Sequence, residues 1–184
     1  PKPIAKFLAG KGEFVFLAHP LDLLPDIART YPIANRMPKW LLKFISRYHS
    51  PTILGKVKGF RKKDGSLAEG WIVFCSLTTR MMVLKQELAR KKILAAAKFS
   101  EKLGGKIIGL GAFVPIMADD GRFLKGKTSM VVTTGSAFSA VIAIQNVLKA
   151  AKLANLDLKC DKLAIVGAAG SVGSVCARSL AKYF

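Results

Sequence analysis

The chain has 184 residues, of which 51% are hydrophobic, so it can form one sizeable core or one small domain plus part of another. This composition excludes an intrinsically disordered protein, and no apolar run reaches the roughly 18 residues that a membrane-spanning helix needs. The net charge of +19, from 30 Lys and Arg against 11 Asp and Glu, would attract nucleic acid, anionic lipid or an acidic protein.

The start of the chain lacks the charged region, apolar core and cleavage site of a secretory signal. We therefore expect a cytoplasmic protein, with peripheral attachment to a membrane as an alternative. Cys75, Cys160 and Cys176 form no CxxC pair, which disfavours a disulfide framework and a zinc site. Three buried free thiols are the simplest expectation.

The first third of the chain is dominated by basic residues. Residues 1–13 form a polar, basic leader, and residues 14–17 a short strand followed by a loop that contains His19. From residue 31 to residue 63 nine residues are basic and none is acidic. Within this segment Pro38 begins a predicted basic amphipathic helix. Its apolar face contains Trp40, Leu41, Phe44, Ile45 and Tyr48, and its basic face Lys39, Lys43 and Arg47.

The later elements alternate between strand and helix patterns. A hairpin is predicted from residues 53–60 and 70–74 around the turn pair at residues 64–65. Strands are also predicted at residues 106–112, 130–133 and 163–166, and helices at 81–103, 136–153 and 171–184. This alternation predicts an α/β fold. The inner face of the helix at 81–103 should contain Leu84, Leu88, Ile93, Ala96 and Leu103.

A glycine-rich turn near the end of the chain is the most specific motif. The apolar run at residues 163–166 leads into the spacing GxxGxxG, which continues into a helical pattern. In a dinucleotide-binding fold the first glycine makes the tight turn, the second admits the pyrophosphate, and the third lets helix and strand pack closely. A glycine turn that binds nothing is the alternative. The predicted cofactor-binding residues are Gly167, Ala168, Gly170, Ser171, Val172 and Gly173.

This nucleotide-binding unit is predicted to be incomplete. A mononucleotide-binding half has the order βαβαβ, and the residue that selects between NADH and NADPH lies about 20 positions past the turn. We therefore expect a fragment, natural or proteolytic, of a longer enzyme that is inactive on its own, with completion by an oligomeric partner as the alternative. The predicted organisation is a leader at 1–13 and an α/β substrate domain at 14–135. A linking helix and the first βα unit of a Rossmann-type domain follow at 136–184.

Several motifs occur in a fixed order before and within the glycine turn. They are Gly-Trp-Ile-Val-Phe-Cys-Ser-Leu at 70–77, Arg-Lys-Lys-Ile at 90–93, Gly-Leu-Gly-Ala-Phe at 109–113, Thr-Thr-Gly-Ser at 133–136, and Leu-Ala-Ile-Val-Gly-Ala-Ala-Gly-Ser-Val-Gly-Ser at 163–174. As an ordered set they resemble the long-chain acyl-[acyl-carrier-protein] reductases of cyanobacteria. The resemblance extends over roughly residues 14–184.

The resemblance implies a reaction and a cofactor. A fatty acyl thioester is reduced to a fatty aldehyde by NADPH, with NADH not excluded, after a cysteine has taken the acyl group. A thiolate suits this step because it is a strong nucleophile and a good leaving group. In the family this cysteine follows the glycine turn, so we expect it beyond Phe184, and the catalytic residues are unknown. Cys75 and Cys176 are expected to be packing residues.

The resemblance also gives the basic charge a function. An acidic acyl carrier protein, or acyl-CoA, is the expected partner, and residues 31–63 are the candidate docking segment. The same segment suits a membrane surface, where fatty substrates partition. The simplest alternative is a surface helix with a solvated basic side and a buried aromatic side. Formation of a homo-oligomer is left open.

Other candidate site residues have local explanations as well. His19 fits an acid or base near a substrate, but a local hydrogen bond is the preferred interpretation. Thr134, Gly135 and Ser136 fit either the lining of a substrate cleft or a plain helix cap, with Ser136 as the capping residue. Residues 119–121, Asp-Asp-Gly, indicate a turn and not a metal site, since one acidic pair has too few ligands.

Two other functions compete with acyl reduction. A shikimate- or amino-acid-dehydrogenase-like NADP oxidoreductase would share the order of substrate domain, linking helix and nucleotide domain. It would need a polar pocket, whereas an acyl chain needs an apolar one. A basic module that binds nucleic acid or anionic lipid is the other alternative, but no helix-turn-helix, OB or RRM signature is present. Specific binding of nucleic acid is therefore not expected.

Overall fold

The computed structural model describes residues 13–184, so the predicted leader lies outside the described residues except for Glu13. The chain forms two compact units, one ending at Thr133 and the other running from Thr134 to Phe184. The predicted α/β class is confirmed, because the first unit contains a mixed, mostly parallel sheet flanked by helices.

The sheet has five strands in the order β2-β3-β1-β4-β5. Only β2 and β3 are antiparallel, and they form the predicted hairpin. The turn requires a positive φ at residue 65, which glycine adopts readily, and Gly65 has φ +81°. Asp64 Oδ1 stabilises the turn by accepting the Ser66 N–H. The other neighbours are parallel, which fits their apolar sequences. The strands are β1 (Phe14–Ala18), β2 (Thr52–Arg61), β3 (Leu67–Phe74), β4 (Ile107–Leu110) and β5 (Val131–Thr133).

Five α-helices and two 3₁₀ segments accompany the sheet in the described part of the first unit. The 3₁₀ segments are Pro32–Arg36 and Asp119–Leu124. The second of them contains the predicted turn at residues 119–121. The helices are α1 (Leu23–Thr30), α2 (Lys39–Tyr48), α3 (Thr79–Leu84), α4 (Gln86–Lys102) and α5 (Val114–Met117).

Two predictions for this unit were wrong. The segment after β1, predicted as a loop, contains α1, because Asp22 caps the helix and Pro25 is tolerated in its first turn. The single helix predicted at 81–103 is broken at Lys85, whose backbone is non-helical at φ −137° and ψ 64°. Leu84, predicted on the inner face, is consequently 72% exposed.

Helix α4 forms one side of the main core. Its buried face is built from small side chains and from Ile93, and it packs with the inward residues of β1, β3 and β4. Small residues let a helix approach the sheet closely, so most of the apolar face of α4 is buried in the core. A separate small cluster of Leu23, Ala34 and Leu42 joins α1, α2 and the 3₁₀ segment between them.

The second unit contains α6 (Ser136–Leu153) and α7 (Gly173–Leu180), which share a core of Ala140, Cys176 and Leu180. The strand predicted at 163–166 does not form, since no other extended segment of this unit pairs with it. Leu163 and Ile165 still pack on the core, whereas Val166 is fully exposed. The helix predicted at 171–184 is limited to α7.

None of the helices within residues 13–184 is both long enough and apolar enough to cross a membrane.

Candidate functional site

The glycine turn of the second unit is tightly closed on itself. Gly167 has φ +80°, and its carbonyl accepts the N–H of Gly170 at 3.0 Å. The Gly170 carbonyl in turn accepts the N–H of Ser174, in the first turn of α7, at 2.9 Å. A Cβ at Gly173 would overlap the Gly167 carbonyl oxygen and lie 2.8 Å from the carbonyl carbon. The first and third glycines therefore meet the conformational demands that the motif predicts.

The middle of the turn is exposed to solvent. Residues 167–171 are all exposed, and a Cβ at Gly170 would meet only the Gly167 oxygen within 4 Å, at 3.4 Å. No side chain caps the N-terminus of α7. Backbone at this position can approach an anionic group closely. The predicted residues thus fit the phosphates of a dinucleotide, and their assignment to a cofactor stays a prediction.

The second predicted group, Thr134, Gly135 and Ser136, forms the start of α6. Gly135, with φ +73°, is the N-cap residue, and Ser136 is already helical, so the predicted capping by Ser136 was wrong. The Thr134 hydroxyl accepts the Ser136 N–H at 3.3 Å and lies 2.8 Å from the Ser136 hydroxyl. These contacts are those of a local turn at a helix start. A role in lining a substrate cleft stays a prediction.

In the first unit, His19 lies at the carboxyl end of the parallel strands. In the sheet, β1 lies between β3 on one side and β4 on the other, so the order of the strands reverses at β1. In open α/β sheets, ligands often bind at the carboxyl ends of the strands where this reversal occurs. His19 is buried, its Nε2 accepts the Phe113 N–H at 3.0 Å, and its Nδ1 lies 2.9 Å from the Pro20 carbonyl. Both ring nitrogens contact backbone groups: the contact with Pro20 confirms the expected local hydrogen bond, and the one from Phe113 joins two distant parts of the chain.

The three cysteines differ in their surroundings. Cys75 is in the main core, and burial raises the pKa of its thiol to about 11. Cys176 is buried against α6, with its sulfur 3.8 Å from the Ala140 carbonyl. Both are packing residues, as predicted. Cys160 is exposed, so the expectation of three buried thiols was wrong for this residue, which lies in a polar connector.

Helix α2 is oriented differently from the expectation of a buried aromatic side. Its inward residues are Leu42 and Ser46, which are 3% and 1% exposed. The rings of Trp40, Phe44 and Tyr48 face outward instead. The helix is oriented by Leu42 in the small cluster and by a hydrogen bond of 2.7 Å from the Ser76 hydroxyl to the Ser46 carbonyl. The inward side of α2 therefore consists of Leu42 and the small polar Ser46, and the aromatic side is exposed.

A basic cleft of about 460 Å³ lies on one side of α2. Arg80 and Lys85, at the two ends of α3, face it together with cations from α2. Asp22 is the only acidic residue in its lining. Among residues 13–184 none of the cleft's cations forms an ion pair with a carboxylate. The cleft therefore suits a phosphate or carboxylate group. Its basic residues are Lys39, Lys43, Arg47, Arg80 and Lys85.

An apolar depression of about 250 Å³ lies on the other side of α2. Tyr31, Ile33 and Ile45 line it, together with Ser46 and His49 at a more polar end. The Ser46 hydroxyl and His49 Nδ1 are buried and have no hydrogen-bond partner among residues 13–184. Apolar walls with a few polar groups are typical of sites for small ligands.

Sequence reasoning missed the contribution of α3 to these features. Arg80 and Lys85 are separated from the basic segment by the hairpin, and only the tertiary structure brings them beside α2. The signal in the sequence was weak: Thr78 caps the start of α3, which places Arg80 in the first helical turn after β3. Within residues 13–184 no cluster of side chains could hold a metal ion.

The chain is similar to a long-chain acyl-[acyl-carrier-protein] reductase of Synechococcus elongatus, with 29% identity over 117 residues. The match covers 60% of this chain and 34% of that relative, so the chain spans about a third of the relative's length. No protein-family model matches the chain. This relative carries the name of the enzyme class that the ordered motifs resemble.

Proposed function

We propose that the chain is part of an NADPH-dependent oxidoreductase that reduces a long-chain acyl thioester to a fatty aldehyde. The observation that carries the proposal is the closed turn from Gly167 to Gly173, in which the third glycine has no room for a side chain. In the sequence this turn follows an apolar run and precedes a helix, which is the pattern of a dinucleotide-binding motif, although the apolar run forms no strand here. The similarity to an acyl reductase supplies the substrate class.

In this proposal the glycine turn holds the cofactor's pyrophosphate. The exposed residues around Gly170 and Ser171 would leave room for the phosphate oxygens, and the N-terminal dipole of α7 would favour their negative charge. Bound NADPH supplies the hydride. NADPH is preferred over NADH because of the family resemblance alone.

The acyl donor in this proposal is an acyl carrier protein or acyl-CoA. Both carry negative charge, and the cleft beside α2 offers Arg80 and Lys85 as cations with no carboxylate partner among residues 13–184. Arg80 can grip a phosphate through two donors, and Lys85 adds a point charge. The cleft therefore binds the phosphate of the thioester's carrier.

The proposal assigns the nucleophile to none of the buried cysteines. A thiol acts as a nucleophile only as its thiolate, and the pKa of Cys75 is about 11. At neutral pH this thiol therefore stays protonated. Cys176 is enclosed in the core of the second unit and is inaccessible to a thioester.

The cofactor proposal is tested by a Gly170→Ala variant of the chain. The added methyl group has room in the unliganded turn, where its nearest neighbour is 3.4 Å away, but it enters the space that the pyrophosphate would occupy. We expect NADPH affinity, measured by fluorescence titration, to fall at least tenfold with little change in thermal stability. Gly55→Ala is the matched control, because a Cβ there meets no atom within 4 Å.

Two outcomes would count against the cofactor proposal. One is no measurable binding of NADPH or NADH to the unmodified chain. The other is equal affinity in the Gly170→Ala and Gly55→Ala variants, which would mean that the nucleotide binds elsewhere.

The carrier proposal is tested by replacing Arg80 and Lys85 together with glutamine. Both are exposed, so the fold should persist. We expect weaker binding of CoA and of an acyl carrier protein, and a smaller dependence of that binding on salt. Replacing Lys149 and Lys152, two exposed cations on α6, is the control, and equal losses in both variants would refute a role for the cleft.

A further inference from the structure

The outer face of α2 exposes three aromatic rings in a row. Trp40, Phe44 and Tyr48 are 69%, 54% and 73% exposed, and they recur every four residues. The Phe44 and Tyr48 rings lie 5.0 Å apart between centroids. An exposed apolar stripe of this kind on a surface helix marks an interaction site, because water contact with it is unfavourable.

The orientation of this face is fixed by polar contacts at the end of the helix. Lys92, on α4, donates to the carbonyl of His49, the C-cap residue of α2, at 2.7 Å. The Ser76 hydroxyl donates to the Ser46 carbonyl at 2.7 Å and to the His49 carbonyl at 3.3 Å. A cation and a hydroxyl thus satisfy carbonyls that the helix end leaves free. The outward direction of the rings follows from this anchoring.

The apolar surface continues beyond the three rings. Ile45 lies between Phe44 and the depression that Tyr31 and Ile33 also line. Tyr31 and Ile33 are 47% and 64% exposed. The outer side of α2 and the segment before it therefore form one apolar surface.

Cations flank this surface and lack neutralising partners. Lys39, Lys43 and Arg47 are exposed on α2, beside the rings, and none forms an ion pair with a carboxylate among residues 13–184. No acidic residue occurs between positions 31 and 63, and the chain carries a net charge of +19. An occupant of the surface should therefore be apolar in its interior and negatively charged at its surface.

We propose that this face of α2 docks on the surface of a membrane that contains anionic lipid. The rings enter the boundary between headgroups and acyl chains, where tryptophan and tyrosine are favoured. Lys39, Lys43 and Arg47 contact the lipid phosphates. This chemistry fits both halves of the face, because the acyl-chain boundary takes the rings while the lipid phosphates neutralise the cations. The proposal shares Lys39, Lys43 and Arg47 with the cleft proposed for the carrier, but the three rings do not line that cleft, and membrane docking does not require the reductase activity.

The test uses Trp40 as its own reporter. The chain has two tryptophans, and Trp71 is buried at 1% exposure, so a Trp71→Phe background isolates the signal of Trp40. The probes are vesicles of phosphatidylcholine mixed with phosphatidylglycerol, and vesicles of phosphatidylcholine alone. We expect co-sedimentation and a blue shift of Trp40 emission with the anionic vesicles, weakened by salt, and little of either with the neutral ones. Co-sedimentation of the unmodified chain keeps the test valid should Trp71→Phe destabilise the fold.

Variants separate the two halves of the face. Phe44→Ser with Tyr48→Ser should lower binding to anionic vesicles at least tenfold, and Lys43→Gln with Arg47→Gln by roughly fivefold per charge. The control for the rings is Phe138→Ser, an exposed ring on α6, and the control for the charges is Lys149→Gln with Lys152→Gln. Neither control should change binding.

Three results would overturn the proposal. The first is absence of binding to anionic vesicles, and the second is equal losses in the α2 variants and their controls. The third is a Trp40 shift produced by an acyl carrier protein or by nucleic acid but not by vesicles. Failure of vesicle binding would leave the effect of Gly170→Ala on NADPH intact, so the two proposals can fail separately.

Discussion

Helices α2 and α4 both have amphipathic sequences, yet α4 buries most of its apolar face and α2 leaves its largest apolar side chains exposed. In α4 the buried face contains Ala89, Ile93 and Ala96, which are fully buried in the main core. In α2 the buried residues are Leu42 and Ser46, and the large rings remain in solvent. The periodicity of a helix shows that it has an apolar face, but not whether the protein itself covers that face.

The difference has a physical origin in what each helix packs against. Helix α4 lies on a sheet whose strands present a continuous apolar surface, so its apolar face is removed from water. Helix α2 packs on α1 and a short 3₁₀ segment through Leu42, and its Ser46 lies against Ser76, which follows β3. An apolar face left over after folding is available for another surface, and this is the basis of the membrane proposal.

The largest expected effect is a difference in the free energy of unfolding between a substitution in α4 and one in α2. Ile93→Ala should lower the free energy of unfolding by about 2–5 kcal/mol, because it leaves a cavity in a fully buried site. Phe44→Ala should change it by less than about 0.5 kcal/mol, because the ring is exposed. Urea unfolding followed by Trp71 fluorescence measures both. A comparable loss from Phe44→Ala would mean that the α2 face is covered in solution.

A second prediction concerns Glu101 of α4, a carboxylate that has no counterpart in α2, since α2 contains no acidic residue. Glu101 accepts hydrogen bonds from the Ser129 N–H and the Thr128 hydroxyl, which lower its pKa from 4.5 to about 2. The ionised form is therefore favoured by folding, and its contribution is complete above pH 4.5 and lost as the pH falls towards 2. Glu101→Gln should cost on the order of 1 kcal/mol at neutral pH and nothing near pH 2.

The control for this prediction is Lys98→Gln, which removes the exposed ion-pair partner of Glu101 at 3.2 Å. Its effect should be small at every pH, because exposed ion pairs contribute little. Unfolding curves of both variants over this pH range give the comparison. A Glu101→Gln effect that does not depend on pH would show that the carboxylate charge is not involved.

The smallest expected effect on the free energy of unfolding comes from replacing the buried serine of each helix with alanine. The Ser100 hydroxyl of α4 donates to the Ala96 carbonyl at 2.7 Å, whereas the Ser46 hydroxyl of α2 has no partner among residues 13–184. Ser46→Ala should raise the free energy of unfolding by about 0.5–1 kcal/mol, since it removes an unsatisfied buried group and favours the helix. Ser100→Ala should change it by less than about 0.5 kcal/mol. A loss of stability in Ser46→Ala would indicate that its hydroxyl is bonded in solution.

Prediction from the sequence was most successful where the structure depends on neighbouring residues. The hairpin was predictable because the Asp64-Gly65 pair and its flanking strands are local. The glycine turn was predictable because Gly167 needs a positive φ and Gly173 needs a missing side chain. Both demands follow from backbone sterics and require no knowledge of the rest of the chain.

The same reasoning failed where a distant partner decides the outcome. The strand pattern at residues 163–166 is as apolar as that of β4, but β4 has neighbours on both sides and this segment has none in its unit. A strand needs hydrogen bonds from another strand, so an apolar pattern is not sufficient. The break at Lys85 was hidden for a related reason, because the periodic pattern continues across it.

By itself, the sequence determined the α/β class, the position of the glycine turn and the one-sided charge of residues 31–63, since these depend on periodicity, local sterics and composition. The tertiary structure alone decided that the rings of α2 face outward and that Arg80 and Lys85 join its cations in one cleft. These features depend on which surfaces compete for a limited interior, and that competition is settled only when the elements pack together.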